Sequence, residues 1–178
     1  MSGAPASLVV EHVTPDMFLE ARNRSPYTAY LSELTPADLT DHCLIMNTPG
    51  SGVAIAPDGD IQNLFRLPSI PKGMGARALL QAIEFGGRTL DCYDGVLPDY
   101  YACFGFVETA RVKFDPAYAH GVFADCPDVI YMLWEGWPPG GAQAAIAQAA
   151  DRSQWKLNIP AEYVVDDVAA RRTYNVLP

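Results

Sequence analysis

The sequence predicts an α/β (α+β) fold with a helical C-terminal extension, and three observations predict it. Two alternating apolar runs, Val53–Ile55 and Ile61–Leu67, flank the turn-forming Pro57-Asp58-Gly59-Asp60, the pattern of an antiparallel hairpin. A loop with Gly73 and Gly75 follows, and then Ala76, Ala78, Leu79, Leu80, Ala82 and Ile83 carry the spacing of a helix with a broad apolar face. Beyond the stop signal Gly86-Gly87 come a short strand, Thr89–Tyr93, and a short helix, Pro98–Phe104, ended by Gly105. The chain has 178 residues, 49% hydrophobic and 19% charged, which suffices for a real core.

The remaining elements follow in chain order. Ser7–His12 is a short apolar strand. Thr14-Pro15-Asp16 starts a helix, with Thr14 as N-cap and Pro15 in the first turn, running to about Asn23. Thr35-Pro36-Ala37-Asp38 repeats that signal and predicts a second helix to about Cys43. Thr48–Gly52 is a turn. Phe106–Phe114 alternates as a strand, with Phe106, Glu108, Ala110 and Val112 expected on one face. After a Tyr/Pro/Gly-bearing connection, Val129–Trp134 is a final buried strand. From Gly140 the composition changes: Ala142–Ala150 has strong helix propensity, and a second short helix is expected from Ala161 to about Arg171. The division is therefore residues 1–137 as the domain and 138–178 as an extension. The extension either packs on its own domain, the expected outcome, or forms a homo-oligomer or protein-partner contact through Trp155, Tyr163, Val164 and Val168.

Charge and composition narrow the function. A net charge of −9 and a pI of about 4.6 argue against a duplex nucleic-acid binder, which needs basic patches, and favour a cationic or amine-bearing partner. No apolar run approaches a membrane span and the first residues lack a basic-then-apolar signal, so the expectation is a cytoplasmic protein with no membrane contact. Four cysteines and three histidines show no metal spacing, and no metal is assigned.

The strand, Gly-loop, helix order suits a phosphate-bearing cofactor. The first turn of a helix leaves N–H groups without intrahelical partners at the positive end of its dipole. Glycines at 73 and 75 would let a diphosphate approach those donors, and Lys72 would add charge.

Two blocks carry a family resemblance. Ile70-Pro71-Lys72-Gly73-Met74-Gly75 follows the pattern Gln/Arg-x-x-Gly-x-Gly/Ala, and Ala76-Arg77-Ala78-Leu79-Leu80 continues it into the helix. Asp94–Phe106 keeps the Tyr and Gly-Phe of a block written Asn-x-x-Ala-x-x-Leu-Tyr-x-x-x-Gly-Phe. In both, the chain resembles the GNAT superfamily of N-acyltransferases over residues 45 to 134, most closely over 70–106. It departs at Ile70, where Gln or Arg is usual, at Asp94 for Asn and at Leu97 for Ala. The resemblance implies a mixed, mostly antiparallel sheet flanked by helices and splayed around acetyl-CoA, the acyl donor. It implies that Phe65 and Leu67 line the cofactor through their main chain, and that Lys72, Gly73, Met74, Gly75 and Ala76 hold its diphosphate. It implies that Tyr101, four residues before the Gly-Phe pair, protonates the leaving thiolate, a role suited to a phenol whose ordinary pKa is near ~10. Asp94, at the end of its strand, is the catalytic candidate for the general base, able to accept a proton directly or through water, and Glu108 on the strand beyond is another. The reaction expected is direct acetyl transfer to a primary amine of unspecified identity; the alternative is a GNAT-like binding protein without catalysis. In the family, the region with Tyr27, Tyr30, Glu33, Asp38 and Asp41 is where the acceptor is covered.

Overall fold

The computed structural model describes residues 10–47, 50–70, 73–118, 123 and 125–175. Seven strands and five α-helices occur among them: β1 (Val10–His12), α1 (Pro15–Asn23), β2 (Cys43–Asn47), β3 (Ser51–Ile55), β4 (Ile61–Arg66), α2 (Met74–Glu84), β5 (Thr89–Tyr93), α3 (Leu97–Ala102), β6 (Phe106–Val112), β7 (Val129–Trp134), α4 (Gly141–Ala150) and α5 (Asp167–Arg172). They make an α+β fold of two antiparallel sheets, ordered β1-β2-β3-β4 and β5-β7-β6. The sheets meet along β4 and β5, which run parallel from one bridge, Asp60 to Thr89. Arg88 N and Thr89 N donate to Gly59 O at 2.8 and 3.2 Å, which fixes that common origin. No ladder continues beyond it.

The main core fills the space under this seam. Leu79, Ala82 and Ile83 of α2 pack with Ile45 and Val53 of one sheet and with Leu90, Ile130 and Met132 of the other. One helix thus spans both sheets, as its broad apolar face requires. On the opposite face of the four-stranded sheet, Phe18, Leu19 and Ala21 of α1 cover Leu44, Ala54 and Phe65, with the Phe18 and Phe65 rings edge-on at 5.4 Å. Helix α1 starts at the expected cap, where Thr14 Oγ1 accepts from Met17 N.

Four elements differ from the sequence reading. Residues 36–41 form successive turns rather than a helix, even though Thr35 and Asp38 cap each other. Their bonds run three residues back and Leu39 alone is buried, so there is no second apolar turn to hold a helix. Directly after them Cys43–Asn47 forms β2, a strand overlooked because its alternation is interrupted. In β6 a bulge between Glu108 and Ala110 splits the expected face. Phe106 and Glu108 stay with the main core beside Met132, while Ala110 and Val112 turn to the other face beside Tyr131 and Val129. Residues 161–166 are not helical; α5 starts only after Asp166, whose carboxylate caps Ala169 N at 2.8 Å.

Residues 138–175 of the extension wrap the domain. Ala145 and Ala149 of α4 enter the main core, and Trp155 packs on Tyr100 at 5.4 Å. The chain then crosses the free edge of β6, where Arg111 N donates to Glu162 O and Val164 N to Arg111 O. Covering that edge removes a row of open pairing groups. Glu108 is the anchor: its fully buried carboxylate accepts from Ala161 N at 2.9 Å, from Arg111 Nη2 at 3.0 Å, and from Arg111 Nε and Asn158 Nδ2. Glu108→Ala is expected to cost about 3 kcal/mol, because a largely buried guanidinium loses one of its two carboxylate partners and Ala161 N loses its acceptor. A lowered melting temperature, with residues after Pro138 becoming the first site of limited proteolysis, would show it.

The extension ends where the sheets join. Ala170 packs on Ala110 and Tyr131, and Arg171 reaches Asp60 at 3.2 Å and Asp91 at 3.4 Å. The Asp91 carboxyl is raised to about 6, first by loss of solvent around it and then by the charge of Asp60, with Arg171 opposing. Its side chain still keeps 40% of its surface open, so water screens the pair.

Candidate functional site

The seam between β4 and β5 is where the site expected from the sequence would lie. Strand β4 carries a bulge: Gly52 pairs with Phe65 and Ala54 with Gln62, so Asn63 and Leu64 together oppose Val53. Asn63 takes a left-handed φ of 50°, rare for a residue with a Cβ. Its Oδ1 accepts from Nε of Arg22 at 2.7 Å; that guanidinium is buried and also donates to Asn23 Oδ1 at 2.9 Å and to Ser32 O.

The bulge decides which main-chain groups face the seam. Leu67 N donates to Gly50 O at 2.9 Å, and the two-residue alternation turns the Phe65 main chain toward Gly52 as well. Both residues expected to line the cofactor therefore spend main-chain donors on β3, and the Phe65 ring is buried against Phe18. The edge toward β5 falls to the bulge pair Asn63 and Leu64 and to the Arg66 amide. The Arg66 carbonyl is already taken by Ser25 Oγ at 3.1 Å. One extra residue in the strand explains the offset.

Past β4, the chain turns into the glycine loop. Ile70 is buried under Gly50, and its carbonyl accepts from Arg66 Nη1 at 2.7 Å. A guanidinium thus lies at the loop although position 70 itself is apolar. Lys72 lies outside the described residues. Gly73 caps α2 with a left-handed φ of 95°, and a Cβ at Gly73 or Gly75 would meet nothing within 4 Å. Met74 and Gly75 are half-buried, Ala76 is in the core, and Arg77 is exposed on the first turn. The first intrahelical bond is Arg77 N to Gly73 O, so the amides of Met74, Gly75 and Ala76 have no intrahelical acceptor.

On the other side of the seam, β5 leads into α3. Tyr101 sits in the core against Phe106, with ring centroids 6.1 Å apart. Burial, and then the neighbouring Cys92, Tyr100 and Asp91, push its phenol well above the ordinary range. It stays protonated and able to donate. Gly105 has φ 91°, and a Cβ there would lie 1.8 Å from Gly136 O, so only glycine lets the chain turn from α3 into β6. The Gly-Phe pair that marks the second sequence block thus has a steric cause.

Neither candidate base is free. Asp94 Oδ1 accepts from Gly95 N and its Oδ2 from Arg111 Nη1, both at 2.9 Å, which fixes the turn after β5. Glu108 is spent on the extension. Asp91, the carboxyl raised to about 6, pairs across the sheet with Tyr131, on the face away from the main core. The glycine loop thus follows β4 on one side of the seam and the helix of Tyr101 follows β5 on the other, while Asp94 is held by Gly95 and Arg111 and Glu108 by Arg111 and the extension. Arg22, Asn63 and Arg66 were missed by sequence reasoning. An Asn inside an alternating strand was the one signal available, since Asn tolerates left-handed backbone.

A groove among the described residues lies elsewhere. It has a volume of about 290 Å³ and lies between β1, α1 and the end of β2, lined by residues such as Val13, Met17, Met46 and Leu67. Among the described residues, no helix is long and apolar enough to cross a membrane, and no group of three or more His, Cys, Asp or Glu side chains is placed to hold a metal ion. No family model and no curated protein matches the chain.

Proposed function

We propose that the protein is an acyl-CoA-dependent N-acyltransferase that moves an acetyl group from acetyl-CoA directly to a primary amine. The observation that carries this reading is the seam: two parallel strands share an origin at Asp60 and Thr89, part without further pairing, and point one edge at a glycine-led helix start. An acyl-pantetheine arm is an extended, amide-bearing chain, and an unpaired strand edge is what binds such a chain. The amides of Met74, Gly75 and Ala76, with Arg66 and Arg77 nearby, supply donors and charge for its diphosphate. The Leu64 amide, on the same edge, would polarise the thioester carbonyl. Tyr101 would give its proton to the departing thiolate; the burial that keeps its phenol protonated also makes it a weaker acid, so the transfer needs the thiolate held close. With Asp94 and Glu108 engaged, the amine loses its proton through water.

Calorimetric titration with acetyl-CoA tests the reading, with dephospho-CoA as comparison. Saturable binding is expected, and Gly75→Leu is expected to abolish it or weaken it at least about tenfold, since the side chain fills the space over three helix-start donors. Gly75 has an ordinary φ and open surroundings, so this substitution spares the fold. Absence of binding at millimolar acetyl-CoA, or equal binding by the variant, would defeat the proposal.

A further inference from the structure

Three aromatic rings from three separate segments close the mouth of the seam. Tyr30 stands in the short turn after α1. Its segment is tied to the end of β4 by Ser25 Oγ donating to Arg66 O at 3.1 Å and Thr28 Oγ1 donating to Ser25 O at 2.7 Å. Tyr93 is the last residue of β5. Phe123, from the β6–β7 connection, packs on both, at 5.1 Å from Tyr30 and 4.1 Å from Tyr93, with Phe114 at 6.1 Å behind it. The rings therefore bridge the far ends of two strands that share no hydrogen bond there. Tyr30 leaves 47% of its surface open, so the bridge presents ring surface to solvent.

Several carboxylates of the surrounding segments are already engaged. Asp94 is held by Arg111 and Gly95. Asp128 accepts from Phe114 N at 3.0 Å, Lys113 Nζ at 3.2 Å and Tyr163 Oη at 2.6 Å, and Glu108 is buried under the extension. What sets this mouth apart is ring surface, with the face and hydroxyl edge of Tyr30 exposed beside Phe123. We propose that the acceptor is an amine carried on a flat aromatic body, which packs against Tyr30, Phe123 and Tyr93 while its amino group enters the seam. This rests on the acyltransferase reading and adds the substrate class to it.

The full chain, loaded with acetyl-CoA, is offered 2-phenylethylamine, hexylamine and spermidine. Thiol release measures transfer, and calorimetry with CoA-loaded protein measures amine binding. The expected result is a kcat/KM for 2-phenylethylamine about three- to tenfold or more above the other two, the scale of one or two aromatic contacts. Phe123→Leu keeps an apolar anchor and should raise the KM for 2-phenylethylamine by about the same factor, with the acetyl-CoA dissociation constant unmoved. Tyr30→Leu, on a different segment, should act in the same direction, so a folding defect in one variant does not decide the matter. If acetyl-CoA binds but 2-phenylethylamine neither binds nor reacts better than hexylamine, the aromatic acceptor is refuted and the cofactor site stands. If acetyl-CoA itself fails to bind, both fall.

Discussion

Tyr101→Phe is expected to lower turnover by about 10²–10⁴-fold, the usual contribution of a positioned general acid, while acetyl-CoA affinity stays nearly unchanged. The substitution is clean. The ring lies in the core between Phe106 and Tyr100, and Phe preserves that packing. Among the described residues its hydroxyl makes no side-chain hydrogen bond, so none of them is orphaned when the oxygen is removed. Melting temperature should therefore hold or rise slightly as turnover falls. The pH profile gives a second reading. Because burial raises the phenol well above its ordinary range, the protonated form persists through alkaline pH, and an alkaline loss of activity below pH ~10 would have to come from another group. Turnover in the variant equal to that of the parent would remove Tyr101 from the mechanism.

Local signals account for most of what was legible in the sequence. Turn chemistry at Pro57–Asp60, the helical spacing after Gly75 and the Gly86-Gly87 stop each set a nearby element, and β3, β4, α2, β5 and β7 appear where those signals put them. The two bulges, at Asn63 and after Glu108, were not legible. A bulge inserts one residue into a pairing whose partner lies elsewhere in the chain, so strand alternation alone cannot show it. Past that single residue, the main chains of Phe65 and Leu67, the positions expected to line the cofactor, turn toward β3. Long-range polar anchoring was equally silent. Glu108 and Asn158 are 50 residues apart, and Arg22 and Asn63 are 41 apart. Glu108 and Asp94 looked like bases because a lone carboxylate in a sequence shows its chemistry and not its partners.

The second large effect is expected from Arg22, which reaches the seam only through the side chain of Asn63. Its buried guanidinium holds Asn63 in a conformation that costs about 1–2 kcal/mol for a residue with a Cβ. The bulge so held sets the direction of the Leu64 amide. Arg22→Met keeps much of the stem's packing but leaves Asn63 Oδ1 and Ser32 O without their donor, at about 1–3 kcal/mol each. With the clamp gone, β4 relaxes toward regular pairing and the amide swings away from the seam. Loss of one such donor typically costs about 10²–10³ in turnover. A purely structural role would lower stability as well, so the decisive variant is the double one. Glycine adopts a φ of 50° without steric cost, and Asn63→Gly in the Arg22→Met background should recover turnover while the melting temperature stays low. Should turnover track stability in both variants, the bulge is scaffolding. If the glycine restores turnover alone, the buried arginine acts by aiming one backbone amide across the seam.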